Sequence, residues 1–207
     1  MSSSPTRSAR KKRRIRRQIR DLPARSVVLA EDETDLRHFP PLRAGWSLRG
    51  EPAEVPLSGW NAKRMVFGAM NLKTGTRLFL PRAKDRSVDF QASLGEVRRR
   101  YRGRHVALLL DGDSCHTAKA SLRAAEGMTL LWLPVRSPEL NPMDTLWGQG
   151  KDVVAANRQY ETIDDQVDRF LDFLSGMSGL EALHMAGVLS EEFWLWSALS
   201  KNFCGPA

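Results

Sequence analysis

Apolar positions fall into short runs and a few stripes at helical spacing. Residues 26–30 (SVVLA) are apolar and β-branched and predict a strand, which runs into three acids, Glu31, Asp32 and Glu33. Residues 64–71 and 77–80 predict two more strands, with Thr74-Gly75 as the turn of a hairpin. In residues 88–101, Phe90, Leu94, Val97 and Tyr101 recur at four, three and four, one buried stripe of a helix. Residues 105–110 are apolar almost throughout, as in a strand covered on both faces, and end in Asp111. A helix over 117–126, stopped by Gly127, and a buried strand over 129–133 follow. Strand, helix, strand, helix in this order predicts parallel strands with crossover helices.

Residues 134–142 are punctuated by proline. Asn141 then fits an N-cap and Pro142 the first helical position, with Asp144 three residues after the cap. Trp147 and Lys151 lie three and seven residues beyond Asp144, on the same helical face. Another helix opens at Thr162, with Asp165 as capping partner and Ile163, Val167, Phe170, Leu171 and Leu174 as its buried face. Residues 181–196 predict a last helix whose Phe193, Trp194 and Trp196 pack on the body. Proline and glycine interrupt residues 39–60, so no helix forms there; Trp46 and Trp60 are expected as half-buried anchors, with stacking on bases as their other role.

Composition adds limits. At 42% hydrophobic and 27% charged, the 207 residues suit one soluble domain. No apolar run approaches the roughly 18 residues that span a bilayer, and no secretory signal opens the chain. Cys115 and Cys204 form no disulfide framework or zinc spacing, consistent with a reducing cytoplasm. The net charge is +8, but nine cations and no acid fall in residues 1–20, leaving about −1 for residues 21–207. The basic character therefore sits in an arm, expected to be disordered or helical only on contact, with Ile15 and Ile19 four apart. Arg13, Arg14, Arg16 and Arg17 in it are candidate phosphate contacts; a solvated arm or the end of an upstream helix are the other readings.

Acids at strand ends are candidate chemistry. Successive strand residues face opposite ways, so Asp32 points away from Glu31 and Glu33. Converging Asp32, Asp111 and Asp144 would repel unless cations neutralised them, and short carboxylates suit Mg²⁺ or Mn²⁺. Two such ions would activate a water or a 3′-hydroxyl and stabilise the leaving oxygen. The plainer roles are a solvated strand end for Asp32 and a capping box for Asp144. His116 beside Cys115 is a poor nucleophile pair, since adjacent residues rarely face each other. No glycine-rich phosphate loop, HExxH or paired CxxC occurs.

The stretches LLLDGDSCHTAK and LLWLPVRSPELNPMDTLWGQGK closely resemble the catalytic core of the IS630/Tc1/mariner transposases, as do VVLAEDETDLRHFPPLRAGWSLRGEP and KRMVFGAMNLKTG upstream. The resemblance covers residues 26–155, fading by about 195. It implies an α/β, RNase H-like fold: residues 1–25 as a basic, disordered arm, 26–196 as the catalytic domain, 197–207 as a tail. It also implies DDE/D chemistry, in which hydrolysis at a transposon end precedes attack of the freed 3′-hydroxyl on target DNA. The three acids fall on Asp32, Asp111 and Asp144, all three catalytic and metal-binding. The third is Asp where many members have Glu. Gly112 and Asp113 follow the second acid, where the family often has Asn, so Asp113 is a rival to Asp111. His116 matches a common family histidine that supports the site or touches DNA, and Lys151 matches a family lysine able to reach phosphate. The implied partners are terminal-repeat and target DNA, a second copy of the chain on that DNA, and a helix-turn-helix portion, separate or upstream. The implied location is the bacterial cytoplasm, on the nucleoid when bound. The alternative is a silent or repurposed DNA-binding remnant.

Overall fold

The structure, a computed structural model, describes residues 7–51 and 54–203. The expectations for residues 2–4, for Cys204 and for the last residues of the tail lie outside that range. Helix α1 (Arg7–Arg20) precedes strand β1 (Val27–Arg37), β2 (Lys63–Asn71) and β3 (Arg77–Arg82). Helix α2 (Ser87–Arg100), strand β4 (Val106–Leu110), the single turn α3 (Ser114–Thr117), helix α4 (Lys119–Ala124) and strand β5 (Thr129–Trp132) follow. A 3₁₀ turn, Pro138–Leu140, leads into α5 (Pro142–Val154), α6 (Ile163–Gly176), α7 (Gly179–Met185) and α8 (Trp196–Phe203). The strands form one mixed sheet in the order β3-β2-β1-β4-β5. β1, β4 and β5 are parallel, while β2 runs antiparallel to β1 and β3 to β2.

Alternation along the strands divides the core in two. Val28, Ala30 and Leu36 of β1, with Ala107 and Leu109 of β4, face α1 and α5–α8. Val27 and Leu29, with Val106, Leu108 and Leu110, face α2 and α4. This is the period of two that a sheet covered on both faces requires.

β1 outruns β4. Its pairing with β4 ends at Ala30↔Leu109, whereas its pairing with β2 continues to Arg37↔Lys63. From Glu31 onward β1 thus has an open edge, at the fork where β4 turns away. Across β2, Asp32 is opposite Gly68. A Cβ at Gly68 would lie 2.5 Å from the Trp147 ring and 2.8 Å from Met143 Cε, so this glycine lets α5 settle onto the sheet. Trp147 is held there between Phe79 and Phe170, at ring distances of 5.6 and 5.9 Å. Gly68→Ala is expected to cost about 1–3 kcal/mol by overpacking, about 2–12 °C in melting temperature. An unchanged melting curve by circular dichroism would mean that α5 can shift freely.

Several expectations change. Residues 7–20 are not a disordered arm. They form a helix with Ile15 and Ile19 buried in the core, while Arg16 donates to the carbonyl of Trp194 at 2.6 Å and Lys11 to that of Leu133 at 3.3 Å. Two isoleucines one turn apart give this helix an apolar anchor despite its charge. The segment expected as one helix over 181–196 is α7, a series of turns through Gly187 at φ 71°, and then α8, which occupies the start of the expected tail. Trp46 and Trp60 are not half-buried anchors: they are 105% and 80% exposed, on an irregular segment.

Candidate active site

The three aspartates come from separate elements and line one cavity of about 360 Å³, with Asp113, Asn141, Arg136 and the 133–138 segment as further walls. Asp32 lies on β1 just beyond the fork, Asp111 one residue past the end of β4, and Asp144 in the first turn of α5. Strand parity puts Asp32 on the α5 side of the sheet, as the alternation of acids requires.

Asn141 fixes α5 to this place. As predicted, it is the N-cap: its Oδ1 accepts from the Met143 amide at 3.2 Å. Its Nδ2 also donates to the Glu31 carbonyl at 2.9 Å, satisfying the open edge of β1. One buried side chain thus joins the helix carrying Asp144 to the strand carrying Asp32. Asp144 stays exposed in the first turn of α5.

The electrostatics are those of a site short of positive charge. Burial, then the charges of Glu33, Asp111 and Asp144, push the Asp32 carboxyl up to about 8, with only His116 opposing. Asp111 is held below the ordinary carboxylate range, chiefly by its hydrogen bond with His116 at 2.9 Å and by the Asp113 amide at 3.0 Å. Asp113, the rival ligand, is occupied as the N-cap of α3: its Oδ1 accepts from the Cys115 amide at 2.9 Å and from the Ser114 hydroxyl at 3.1 Å. Oxygen-only donors on three acids fit a hard divalent cation such as Mg²⁺ or Mn²⁺. The oxygens of Asp32, Asp111 and Asp144 are not drawn within 4.8 Å of one another. Among the described residues, the groups gathered that closely are Glu33, Cys115 and His116, and Glu33, Asp85, Asp113 and Cys115.

The other predicted residues separate. His116 is buried, against the Phe90 ring at 4.5 Å, and so is not a surface DNA contact. Burial alone would lower its imidazole, but the hydrogen bond to Asp111, the adjacent Cys115 and Glu33 and the charge of Glu31 raise it well above its ordinary value. Lys151 lies two turns along α5 from Asp144, with its Nζ 3.6 Å from Asp35 Oδ1. On α1, Arg13, Arg14 and Arg17 are exposed, whereas Arg16 is engaged with Trp194. Two features escaped the sequence reading. Arg136 is the one basic residue among the described residues of the cavity wall, in a left-handed conformation at φ 55° that no residue type announces. The second is the Glu31–Glu33–His116 group behind the site; the alternation of acids was its only signal.

An α/β mixed sheet with carboxylates at the fork between β1 and β4 defines the class, an RNase H-like fold. The chain belongs to the DDE superfamily endonucleases, whose sequence profile matches residues 27–166. It is 25% identical over 168 residues to the insertion element IS630 uncharacterized 39 kDa protein of Shigella sonnei, covering 79% of this chain and 49% of that one. It is 34% identical over 105 residues to the uncharacterized protein y4pE/y4sA of Sinorhizobium fredii, covering 49% of this chain and 76% of that one. The chain thus spans about half the length of the Shigella relative. Its fold matches the pre-cleavage Mos1 transpososome with a TM-score of 0.67 at 16% identity, over 100% of this chain and 64% of that one. It also matches the Mos1 transposase catalytic domain with Raltegravir and Mg, with a TM-score of 0.60 at 14% identity, over all of both chains. The expected mixed sheet flanked by helices is therefore found. Among the described residues no helix is long and apolar enough to cross a membrane.

Proposed function

We propose that the chain is the catalytic portion of an IS630-type transposase, cutting DNA at transposon ends and joining the freed 3′-hydroxyl to target DNA. One observation carries this reading: three aspartates from β1, the end of β4 and the start of α5 line one cavity, where burial and then the charges of Glu33, Asp111 and Asp144 push the Asp32 carboxyl up to about 8. Asp32, Asp111 and Asp144 would hold Mg²⁺ or Mn²⁺. The chemistry supplied by two such ions is activation of a water or 3′-hydroxyl and stabilisation of the leaving oxygen. Arg136 offers a guanidinium to a phosphate entering the cavity, and the rigid strand and capped helix keep the acids in register. Intact acids around one cavity weigh against the silent remnant.

DNA is the partner that this chemistry requires, and α1 offers a track to it. Lys11 of α1 reaches the carbonyl of Leu133, itself on the cavity wall, while Arg13, Arg14 and Arg17 point into solvent. Replacing those three by Ala is expected to weaken duplex binding at all sequences alike and to lower the slope of log affinity against log salt by about 2–3. An unchanged slope in fluorescence anisotropy titrations would take α1 off the DNA. A dimer on paired ends and a helix-turn-helix portion for end recognition complete the proposal.

The test is nicking of supercoiled plasmid in Mg²⁺ or Mn²⁺, followed by joining of a labelled 3′-hydroxyl end. Metal-dependent nicking with joining supports the transposase reading; nicking without joining reduces it to a nuclease. Nicking that survives loss of both Asp111 and Asp144 removes those two acids from the mechanism and sinks the three-acid assignment.

A further inference from the structure

Behind the cavity, on the α2 side of β1, lies a buried polar group that touches the acid site through one atom. Alternation sends Glu31 and Glu33 to this side, and the turn α3 brings His116 between them and Asp111. The His116 Nδ1 is 2.9 Å from Asp111 Oδ1. Its Nε2 is 3.1 Å from Glu33 Oε2 and 3.5 Å from Glu31 Oε2. Glu31 is 0% exposed, and among the described residues neither of its oxygens, nor Glu33 Oε2 nor His116 Nε2, has a hydrogen-bond partner, so these groups face one another as charges at contact distance. A carboxylate so placed is costly to bury unless an opposite charge faces it. Nothing about packing demands an acid there, since Val27 and Leu29 line the same face of the strand.

The hydrogen bonds at Asp111 show what the group acts on. The Asp113 amide and His116 Nδ1 both donate to Oδ1, from different directions. Two donors on one oxygen fix the carboxylate's rotation and leave Oδ2 for a ligand. Asp111 needs this restraint: it lies one residue past its strand with a side chain 53% exposed. We infer that His116 is a positioning residue, which locks Asp111 through Nδ1 and is itself braced from behind by Glu33 and Glu31. The inference rests on Asp111 being a metal ligand. Partners that orient such ligands typically contribute about 10–100-fold in metal affinity.

Two replacements separate positioning from mere filling. In His116→Asn the amide nitrogen takes the place of Nδ1; in His116→Gln it takes the place of Nε2. Mn²⁺ binding to the free protein is measured by electron paramagnetic resonance, with melting temperature alongside. His116→Gln is expected to bind Mn²⁺ about 10–100-fold more weakly and His116→Asn to recover most of that loss, although both melt lower than wild type. Equal Mn²⁺ affinity in Gln, Asn and wild type, with only the melting temperatures lowered, would make His116 structural and overturn the inference. Should neither variant fold, Glu33→Gln keeps the volume and loosens the brace; Mn²⁺ binding severalfold weaker supports the inference, and unchanged binding overturns it. One zinc per purified chain, lost in Cys115→Ser, would put a metal between Nε2 and Glu33 and also overturn it. Asp32→Asn is the control for the site itself: a wild type that takes up no more Mn²⁺ than this variant removes the acid site, and the positioning role with it.

Discussion

Asp111→Asn is expected to lower metal-dependent nicking about a thousandfold or more while leaving the protein folded. Metal-assisted stabilisation of charge in such a reaction is worth several kcal/mol, and each 1.36 kcal/mol is about tenfold in rate. The amide has the shape of the carboxylate, and its oxygen can still accept from the Asp113 amide and from His116, so the melting temperature should move little. Asp144→Asn should lose activity to a similar degree, with about 0.3–1 kcal/mol of stability lost from the N-terminal turn of α5. Asp113→Asn is the informative contrast. Asn caps a helix about as well as Asp, so α3 stays capped and nicking should stay within about tenfold of wild type, far from the loss at a ligand. If Asp113→Asn were the silent variant and Asp111→Asn the active one, the two acids would exchange roles. Rates of plasmid nicking at saturating Mn²⁺, beside melting curves for each variant, decide it.

Much of this site is legible because its parts are local. The apolar run of β4 ends at its acid, and the Asn141-Pro142 pair sets the first turn of α5 with Asp144 in it. The alternation in Glu31-Asp32-Glu33 says that the middle acid faces away from its neighbours. It does not say which face is covered, and here both are: β1 has α5 on one side and α2 with α3 on the other. That is why a solvated strand end was a reasonable expectation for acids of which one is fully buried. Long-range partners hide other features. The helix α1 reads as a charged arm until Trp194 and Leu133, each more than 120 residues away, supply carbonyls to its cations. The helix expected over 117–126 divides because Ala118 takes an extended conformation, φ −57° and ψ 140°, and its residue type gives no hint of that. The break also turns the His116 ring inward under Phe90.

Asp32→Asn should make the cation-free protein more stable and destroy its response to cation. The folded-state carboxyl is raised from about 3.8 to about 8, first by burial and then by Glu33, Asp111 and Asp144. Between those values the folded protein keeps a proton that the unfolded chain has released. Stability therefore falls as pH rises through this window, is undiminished below about 4 and is fully reduced above about 8. Asparagine has no proton to lose and escapes the penalty. At pH 8.5 in chelator the variant should be more stable by about 2 kcal/mol, allowing for solvent that reaches the open cavity. That corresponds to a melting temperature about 4–8 °C higher, and the gap should close as pH is lowered toward 4. Mn²⁺ reverses the order: at a hundred times its dissociation constant it adds about 2.7 kcal/mol to wild type and little to the variant, which has lost a ligand. The same four charges would thus account for both the instability of the empty site and its affinity for cation, a cost of function stored at the site. Melting curves at pH 4.5 and 8.5, with and without Mn²⁺, test this directly. A variant that melts below wild type at pH 8.5 in chelator, or that gains as much from Mn²⁺, would show that Asp32 is not where the acids' repulsion is concentrated.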